Sequence, residues 1–564
     1  MEKCRQWYKF SLVPGRRVLF GYLPSEQGVV LTTQIPDATF RVTAFRGNFD
    51  YCIRKPMRVS LGCNVLGYAA PAPDVNHGPS LLAGVNKRIG AAMPPIDRVF
   101  YRKFFRFVKR FCKKHLTSLI FDPLEDFDFE EWIESANYPK YRKDELREVY
   151  KQSLERKPIT QVKAFCKDED YPDFKFPRGI YSRDDDYKVR VGPFFKKFGD
   201  LLFQLKWFIK KIPVNERPFK ILEKLERFKK IFCTDFSSYE ATFVELLMEV
   251  ELWVYNFSLQ NHPRRKYYND LFAKLKKMNI IDYKLFTMRI EARRMSGEMN
   301  TSCGNGVMNL LLTFFQCVEA GNSLEEIDAY FEGDDGIVGC SVYPTAENYT
   351  RLGCNIKIEI PTSISTASFC GNIFHREVCR NVTNPCEASV RFGWTTREYL
   401  NATDRKLSEL LRAKSMSLLY EYPGCPILRS LALYGLRVSR DISKEQLLKT
   451  AKNTYERDFL TELIENYNLK ELVDIGVDER TRALVFDLYG ISPELQLYNE
   501  RYLDSLNELT ELKLDLPFPK CFNVMYDTYS VVVPNRNHVN INFIKNGFST
   551  LAYDRPDLMT CYNH

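Results

Sequence analysis

Asp334 and Asp335 stand between two glycines, in Gly333-Asp334-Asp335-Gly336, and apolar residues flank them from Ile327 to Cys340. This spacing predicts a β-hairpin in which the glycines on both sides supply the positive φ of a tight turn. Such a turn thrusts two carboxylates out of a sheet at one point. Paired carboxylates at a rigid tip suit Mg²⁺, a hard cation that prefers oxygen ligands. A bare Gly-Asp-Asp is equally a solvated turn, so the weight falls on a second acid. Lys229 to Glu240 reads as a strand ending in Asp235, followed by a helix whose apolar surface comes from Val244, Leu247, Val250, Leu252 and Val254. A carboxylate at the end of one strand can meet the hairpin tip of its neighbour. Two divalent ions about 3.5–4 Å apart require that convergence from separate elements. One ion would then lower the pKa of an attacking 3′-hydroxyl, and the other would hold a triphosphate and its departing pyrophosphate.

Two further elements carry polar groups of the right kind. Arg293 to Asn309 begins as a Ser296-Gly297 loop and becomes a helix on which Thr301 and Asn305, four residues apart, share a face near the N-terminus. Small polar side chains there could read a ribose 2′-hydroxyl; the plain alternative is a capped helix with a polar surface. Upstream, Lys163, Lys167, Lys175, Arg178 and Arg183 lie on extended segments. They could line a triphosphate channel, with Arg as a bidentate fork and Lys as a point charge, or form a solvated basic loop.

These groups need a scaffold. The chain has 564 residues, is 45% hydrophobic and 14% aromatic, and carries a net charge of +9. That is ample for packed cores, excludes global disorder, and suits a basic groove on a mixed surface. The 16 cysteines contain no Cys-x-x-Cys and read as buried thiols; His375, Cys379 and Cys386 are an irregular candidate for zinc. No apolar stretch approaches the roughly 20 residues of a membrane span, and the N-terminus lacks the apolar run of a signal peptide. Arg17 to Phe20 and Val29 to Thr33 read as strands, Gly67 to Pro95 as loop, and Tyr101 to His115 as a helix. That helix interleaves Arg102, Lys103, Arg106, Lys109, Arg110, Lys113 and Lys114 with Phe104, Phe107, Val108 and Phe111. It could be a solvated basic face, an RNA-backbone contact or a membrane-surface contact. Beyond about residue 390 apolar repeats through Leu407-Leu410-Leu411 and Phe459-Leu460-Leu463-Ile464 predict helices, and Tyr529 to Val533 a strand.

In order along the chain, Lys167-x-Glu169 with Pro177-Arg178, Asp235-x4-Glu240, Ser296-Gly297-x3-Thr301-x3-Asn305 and Gly333-Asp334-Asp335 resemble the motif series of RNA-dependent RNA polymerases of positive-strand RNA viruses. Arg294 to Ser302, and Leu352 to Lys357 followed by Phe369-Cys370-Gly371, look most like the tombusvirus-like group. The resemblance implies an α+β right-hand fold of fingers, palm and thumb, with an antiparallel palm sheet backed by helices. The parts would be an N-terminal extension and fingers over 1–190, palm over 191–242, a fingers insertion over 243–290, palm again over 291–390 and a mainly helical thumb over 391–564. It implies two Mg²⁺ ions, with Mn²⁺ as a substitute, on Asp235 and Asp334 assisted by Asp335. Lys167, Arg178 and Arg183 would contact the triphosphate. Glu240, Ser296, Gly297, Thr301 and Asn305 would form the nucleotide-sugar set. Lys357 would protonate the departing pyrophosphate, and Phe369-Cys370-Gly371 would grip the growing strand. The implied partners are template and product RNA, nucleoside triphosphates, and viral or host replication proteins that tether the chain to membrane-associated complexes in the host cytoplasm. One departure stands out: the second acid of the Asp-x4-acid element is usually Asp and here is Glu240, whose extra methylene changes its reach towards Asn305 or the ribose. The rival readings are a reverse transcriptase, which shares the acids but not the Ser-Gly-Thr-Asn element, and an inactive RNA-binding replication protein. The sequence has no Gly-x4-Gly-Lys-Ser/Thr phosphate loop, so no fused nucleotide-triphosphatase of that type is expected.

Overall fold

Four strands form the central sheet: Ile356–Glu359, Lys230–Phe236, Asp335–Cys340 and Asp328–Glu332, in that spatial order and all antiparallel. The computed structural model to which they belong describes residues 16–20, 35–47, 49, 56–173, 175–451, 454–466, 468–522 and 530–533. In Lys230–Phe236, Phe232, Cys233, Thr234 and Phe236 are buried while Asp235 is exposed, so this strand is core along most of its length and opens to solvent only at its acid.

One face of the sheet packs on the helix Thr301–Glu319, which is apolar nearly all round and therefore buried nearly all round. On its other side lies the helix Arg98–His115. The Phe315 ring sits 5.1, 5.2 and 5.5 Å from Phe100, Phe104 and Phe107, and Phe314 reaches Phe331 of the sheet at 6.2 Å. Each such ring, fully buried, contributes about 1.5–3 kcal/mol. The basic helix thus begins three residues before Tyr101, at Arg98, capped by Asp97. Its apolar face is spent in this core, so it is a helix with an exposed cationic side, not one that inserts into a bilayer. Among the described residues no helix is long and apolar enough to cross a membrane.

A five-stranded sheet combines distant segments in the order Arg41–Phe45, Phe286–Glu291, Met278–Asp282, Val162–Cys166 and Gly179–Arg183. Only the Val162–Cys166 and Met278–Asp282 pair is parallel. A third sheet joins Trp394–Thr396, Pro56–Ser60, Arg16–Phe20 and Ser530–Val533. The fold is thus a mixture of helices with mainly antiparallel sheets, an α+β arrangement. Among the described residues, the chain from Asp404 to Ser505 is mainly helical as the apolar repeats predict, with Leu407, Leu410, Leu411, Leu460 and Leu463 all buried.

One sequence expectation needs correction here. The stretch from Gly67 to Pro95 is not all loop: Gly78–Lys87 is a helix, capped by His77 with Pro79 in its first turn, because Leu81, Ala83 and Val85 give it a buried face. The residue pairs 190/191 and 390/391 lie inside the helices Asp185–Leu202 and Pro385–Phe392. Val29 to Thr33 and Tyr529 lie outside the described residues.

Candidate active site

Asp235 and the Gly-Asp-Asp hairpin meet because their strands are neighbours. Gly336 pairs with Thr234, so Asp335 stands one step on, across from Asp235. The Thr234 hydroxyl donates to the Asp334 carbonyl at 3.4 Å. Asp335 faces Glu332 across the hairpin, leaving Gly333 and Asp334 as the two turn residues. Of the two glycines only Gly333 has positive φ, at 61°, which suits a two-residue turn with Gly in its first position. Gly336 is required for another reason: a Cβ there would lie 2.8 Å from Thr234 Oγ1 and 2.9 Å from the Phe331 ring. It lets the two acid-bearing strands pack against that ring.

The electrostatics follow from the crowding. Asp235, Asp334 and Asp335 are open to solvent at the tip, yet protein surrounds the latter two on most sides. Desolvation, then the charges of Asp334 and Asp235, pushes the Asp335 carboxyl up to about 7. Asp334 is also raised, by desolvation first and then by Glu240, while Arg178 and Arg88 oppose the rise. Arg178, Arg88 and Glu240 therefore lie within electrostatic reach of the hairpin. Among the described residues no three His, Cys, Asp or Glu side chains are gathered into a ready metal cage. The donor set nevertheless fits divalent cations: it is all carboxylate oxygen, and its mutual repulsion is what a cation would relieve.

A buried amide, missed in the sequence, holds the hairpin. Asn309 is fully buried, and its Nδ2 donates to the Gly333, Asp334 and Asp335 carbonyls at 3.3, 2.8 and 3.2 Å. Its Oδ1 accepts from Thr313 Oγ1 at 3.0 Å, and Thr313 in turn accepts from Tyr349 OH at 3.2 Å. The signal was present, since Asn309 lies four residues beyond Asn305 on the same helix face. On the other side, Phe369 and Asn372 exchange backbone hydrogen bonds of 3.0 Å around Cys370 and Gly371, both at positive φ, 54° and 75°. This second tight turn brings the Cys370 thiol close enough to Asp335 to oppose the rise of its carboxyl.

Lys167 and Arg178 converge on one carboxylate. Lys167 Nζ lies 2.8 Å from Glu169, and Arg178 Nε and Nη2 both donate to it, the latter at 2.7 Å. Burial would raise the Glu169 carboxyl, but these bonds outweigh it and hold it at about 2. The loop is anchored from below by the buried Arg58, which contacts Asp168 at 2.5 Å and Asp170 at 2.8 Å. Arg183 does not join them. Its side chain is 3% exposed and bonded to Glu298, the Thr160 carbonyl and Asn279, so no phosphate reaches it.

The sugar-reading candidates lie together, but differently from the expectation. The Ser296 hydroxyl donates to the Gly179 carbonyl at 3.2 Å and accepts from Tyr181 N at 3.4 Å, while Gly297 N donates to the Tyr181 carbonyl at 2.8 Å. The loop is thus docked on the strand Gly179–Arg183. Thr301 Oγ1 donates to the Met295 carbonyl at 3.0 Å. Glu240 does not reach Asn305: Arg88, unmarked in the sequence except by its charge, binds it through Nε at 2.6 Å and Nη2 at 3.2 Å. Asn305 Oδ1 instead accepts from Arg294 Nε at 2.9 Å. Lys357 pairs in register with Asp235 on the adjacent strand; it is exposed, with Glu359 2.6 Å from its Nζ. Its hydrogen bond to Glu359, then the charges of Glu359 and Asp235, raises its pKa.

His375, Cys379 and Cys386 do not form one ligand set. Cys379 packs with Cys233, Ile337 and Phe374, whereas Cys386 belongs to the separate core of Leu410, Leu431 and Leu512. The described cysteines are free thiols, all but Cys370 and Cys521 buried.

A profile of the family described as viral RNA dependent RNA polymerase matches residues 130–511, a span that includes Asp235, Asp334, Asp335 and both tight turns. An RNA-directed RNA polymerase of Panicum mosaic virus is 24% identical over 250 residues, which is 42% of this chain and 24% of that protein. The alignment therefore spans about a quarter of the relative's own length. With the profile matched over most of the chain, and with its span taking in the sheet on which the carboxylates meet, this chain belongs to the viral RNA-dependent RNA polymerase family.

Proposed function

We propose that the chain is a template-directed RNA-dependent RNA polymerase that replicates and transcribes a positive-strand viral genome by two-metal nucleotidyl transfer. The observation that carries this reading is the register of Lys230–Phe236 against Asp335–Cys340, with Asp235 facing the Asp334-Asp335 tip. Asp235 and Asp334 would hold the ions, with Asp335 assisting. Bound Mg²⁺ would supply a Lewis acid that activates the 3′-hydroxyl and neutralises charge on the triphosphate and departing pyrophosphate.

The chain's own residues do the rest. Lys167 and Arg178 bind the triphosphate, which must displace Glu169 from both. Arg88 lies close enough to Asp334 to add positive charge on the same side. Asn305 and Thr301 face the ribose, and Lys357, exposed beside Asp235, is placed to return a proton to the leaving pyrophosphate. A right-hand arrangement is consistent with these parts. The central sheet and helix Thr301–Glu319 would be palm, the five-stranded sheet fingers, and the helices after residue 397 thumb. RNA template and product would bind across the tip, and other replication proteins would supply membrane attachment in the host cytoplasm.

The test is primer-independent and primed RNA synthesis on an RNA template with nucleoside triphosphates and Mg²⁺ or Mn²⁺. The parent chain should make complementary RNA. Asp334→Ala should bind template with unchanged affinity and incorporate at a rate lower by at least about a thousandfold, the scale of losing an electrostatic group that acts in the transition state. An unchanged incorporation rate would refute the site.

A further inference from the structure

Arg294 and Glu251 form an ion pair in which both side chains are 1% exposed. Nη1 donates to Oε1 at 2.9 Å and Nη2 to Oε2. Glu251 is held further by Asn300 Nδ2 at 3.0 Å and Tyr255 OH at 2.5 Å. The guanidinium lies on the Phe243 ring, 4.0 Å from its centroid. Its own backbone N–H is tied to the Glu240 carbonyl at 3.0 Å, just after two residues in left-handed conformation, Ala292 (φ 55°) and Arg293 (φ 82°). The helix leaves room for this cluster only because residue 304 is glycine. A Cβ there would lie 2.5 Å from Glu251 Oε1 and 2.8 Å from Arg294 Nη2.

A network this closed leaves one donor with work outside it: Arg294 Nε, 2.9 Å from the Asn305 amide. We propose that Arg294, locked by Glu251, is the positioning residue that sets which way the Asn305 amide points and thereby sets discrimination between ribose and deoxyribose. This rests on the polymerase reading above. The chemistry is one-sided. A guanidinium has donors and no acceptor, so the amide atom facing Nε must be the oxygen. Asn305 Nδ2 is thereby turned to the opposite side, where it can donate only to an oxygen. A ribose offers the 2′-hydroxyl there, and a deoxyribose offers nothing, which would leave the donor unpaired in a closed site. Glu240 is instead held by Arg88 through both its oxygens, and the Asn305 amide oxygen is bonded to Arg294.

The experiment compares kcat/KM for ATP and dATP on one RNA template, using the full chain. Four variants are needed: Asn305→Ala, Arg294→Lys, the double variant Arg294→Met with Glu251→Leu, and the triple combination of that pair with Asn305→Ala. The double variant replaces a buried ion pair by apolar groups of similar bulk, a change that often preserves stability. Asn305→Ala and the double variant should each lower the ATP/dATP ratio by about tenfold or more, and the triple variant should lower it no further, since the residues act as one unit. Arg294→Lys keeps the charge on Glu251 but loses the Nε donor, and should show the same loss, which covers the case in which the double variant does not fold. A double variant or Arg294→Lys protein that melts near the parent and keeps the parental ratio overturns the proposal while Asn305→Ala still shows its loss. If Asn305→Ala itself keeps the ratio, the sugar-reading site fails, and this inference fails with it.

Discussion

At the scale of single residues the most informative group is Asp335, because its ionisation couples the site to pH. Its carboxyl is raised from 3.8 to about 7 by desolvation and by the neighbouring Asp334 and Asp235. A raised acid binds a proton in the folded chain that the unfolded chain has already released. Without divalent ions, then, the folded state should lose stability as pH climbs from about 4 towards about 7. Asp335→Asn removes the charge and should flatten that part of the profile. Mn²⁺ should raise the melting temperature of the parent more at pH 7.5 than at pH 5, because only the ionised cluster attracts it. Thermal melts of both proteins in chelator and in Mn²⁺ would check this, and identical pH profiles for parent and variant would rule it out. Glu169 makes the opposite case. Held low by Arg178 and Lys167, it stays ionised at neutral pH and keeps its charge beside both cations.

At the scale of elements, the hairpin is rigid because two neighbours grip it. Asn309 fastens its three carbonyls to the helix Thr301–Glu319, and the Cys370-Gly371 turn closes on Asp335. The hairpin is thus fastened directly to the helix that carries Thr301 and Asn305. Asn309→Ala removes one donor shared by three carbonyls and leaves the Thr313 hydroxyl without its acceptor. It should destabilise the fold by about 2–3 kcal/mol and slow incorporation while leaving template affinity unchanged. Denaturant melts beside single-turnover assays would measure both, and a variant with parental stability and rate would show that the clamp is idle. Arg98–His115 shows a different economy. Its phenylalanines build the core against Phe315, and its cations stay in water, with Lys103 paired to Glu319 and Lys109 4.3 Å from the Phe105 ring centroid.

At the scale of the whole molecule, the site is assembled by sheets that join far-separated segments. Strands from residues 41–45, 162–183 and 278–291 share one sheet, so the Lys167–Arg178 loop and the Ser296 loop are docked side by side. The chain as a whole carries +9 and presents Lys167, Arg178, Arg88 and Lys357 around its acids. Template affinity should therefore fall as salt rises, log Kd changing linearly with log salt at about 0.7 per phosphate neutralised on a single strand. Fluorescence anisotropy with a labelled RNA across a salt series would show it, and a flat response would argue against a basic RNA path.

Read alone, the sequence was enough to single out residues that the fold then brings near one another. Asp235, the hairpin acids and Asn305 stand out because local rules govern them: apolar alternation makes the strands, Gly333 makes the turn, and four-residue spacing makes the helix face; Lys167 and Arg178 stand out only through the family resemblance. What local rules do not contain is which charge meets which. Arg183 and Arg178 are both arginines on adjacent extended segments, yet one is buried against Glu298 and the other faces the acids. Glu240 looked like the partner of Asn305 until Arg88, from a stretch that reads as loop, turned out to hold it. Gly336 reads as a turn glycine and Gly304 carries no signal of its own, but Phe331 and the Arg294–Glu251 pair leave no space for a Cβ at either. Partner choice for buried charges, and the room left beside a backbone, are properties of segments brought together from far apart in the chain; only the packed tertiary structure decides them.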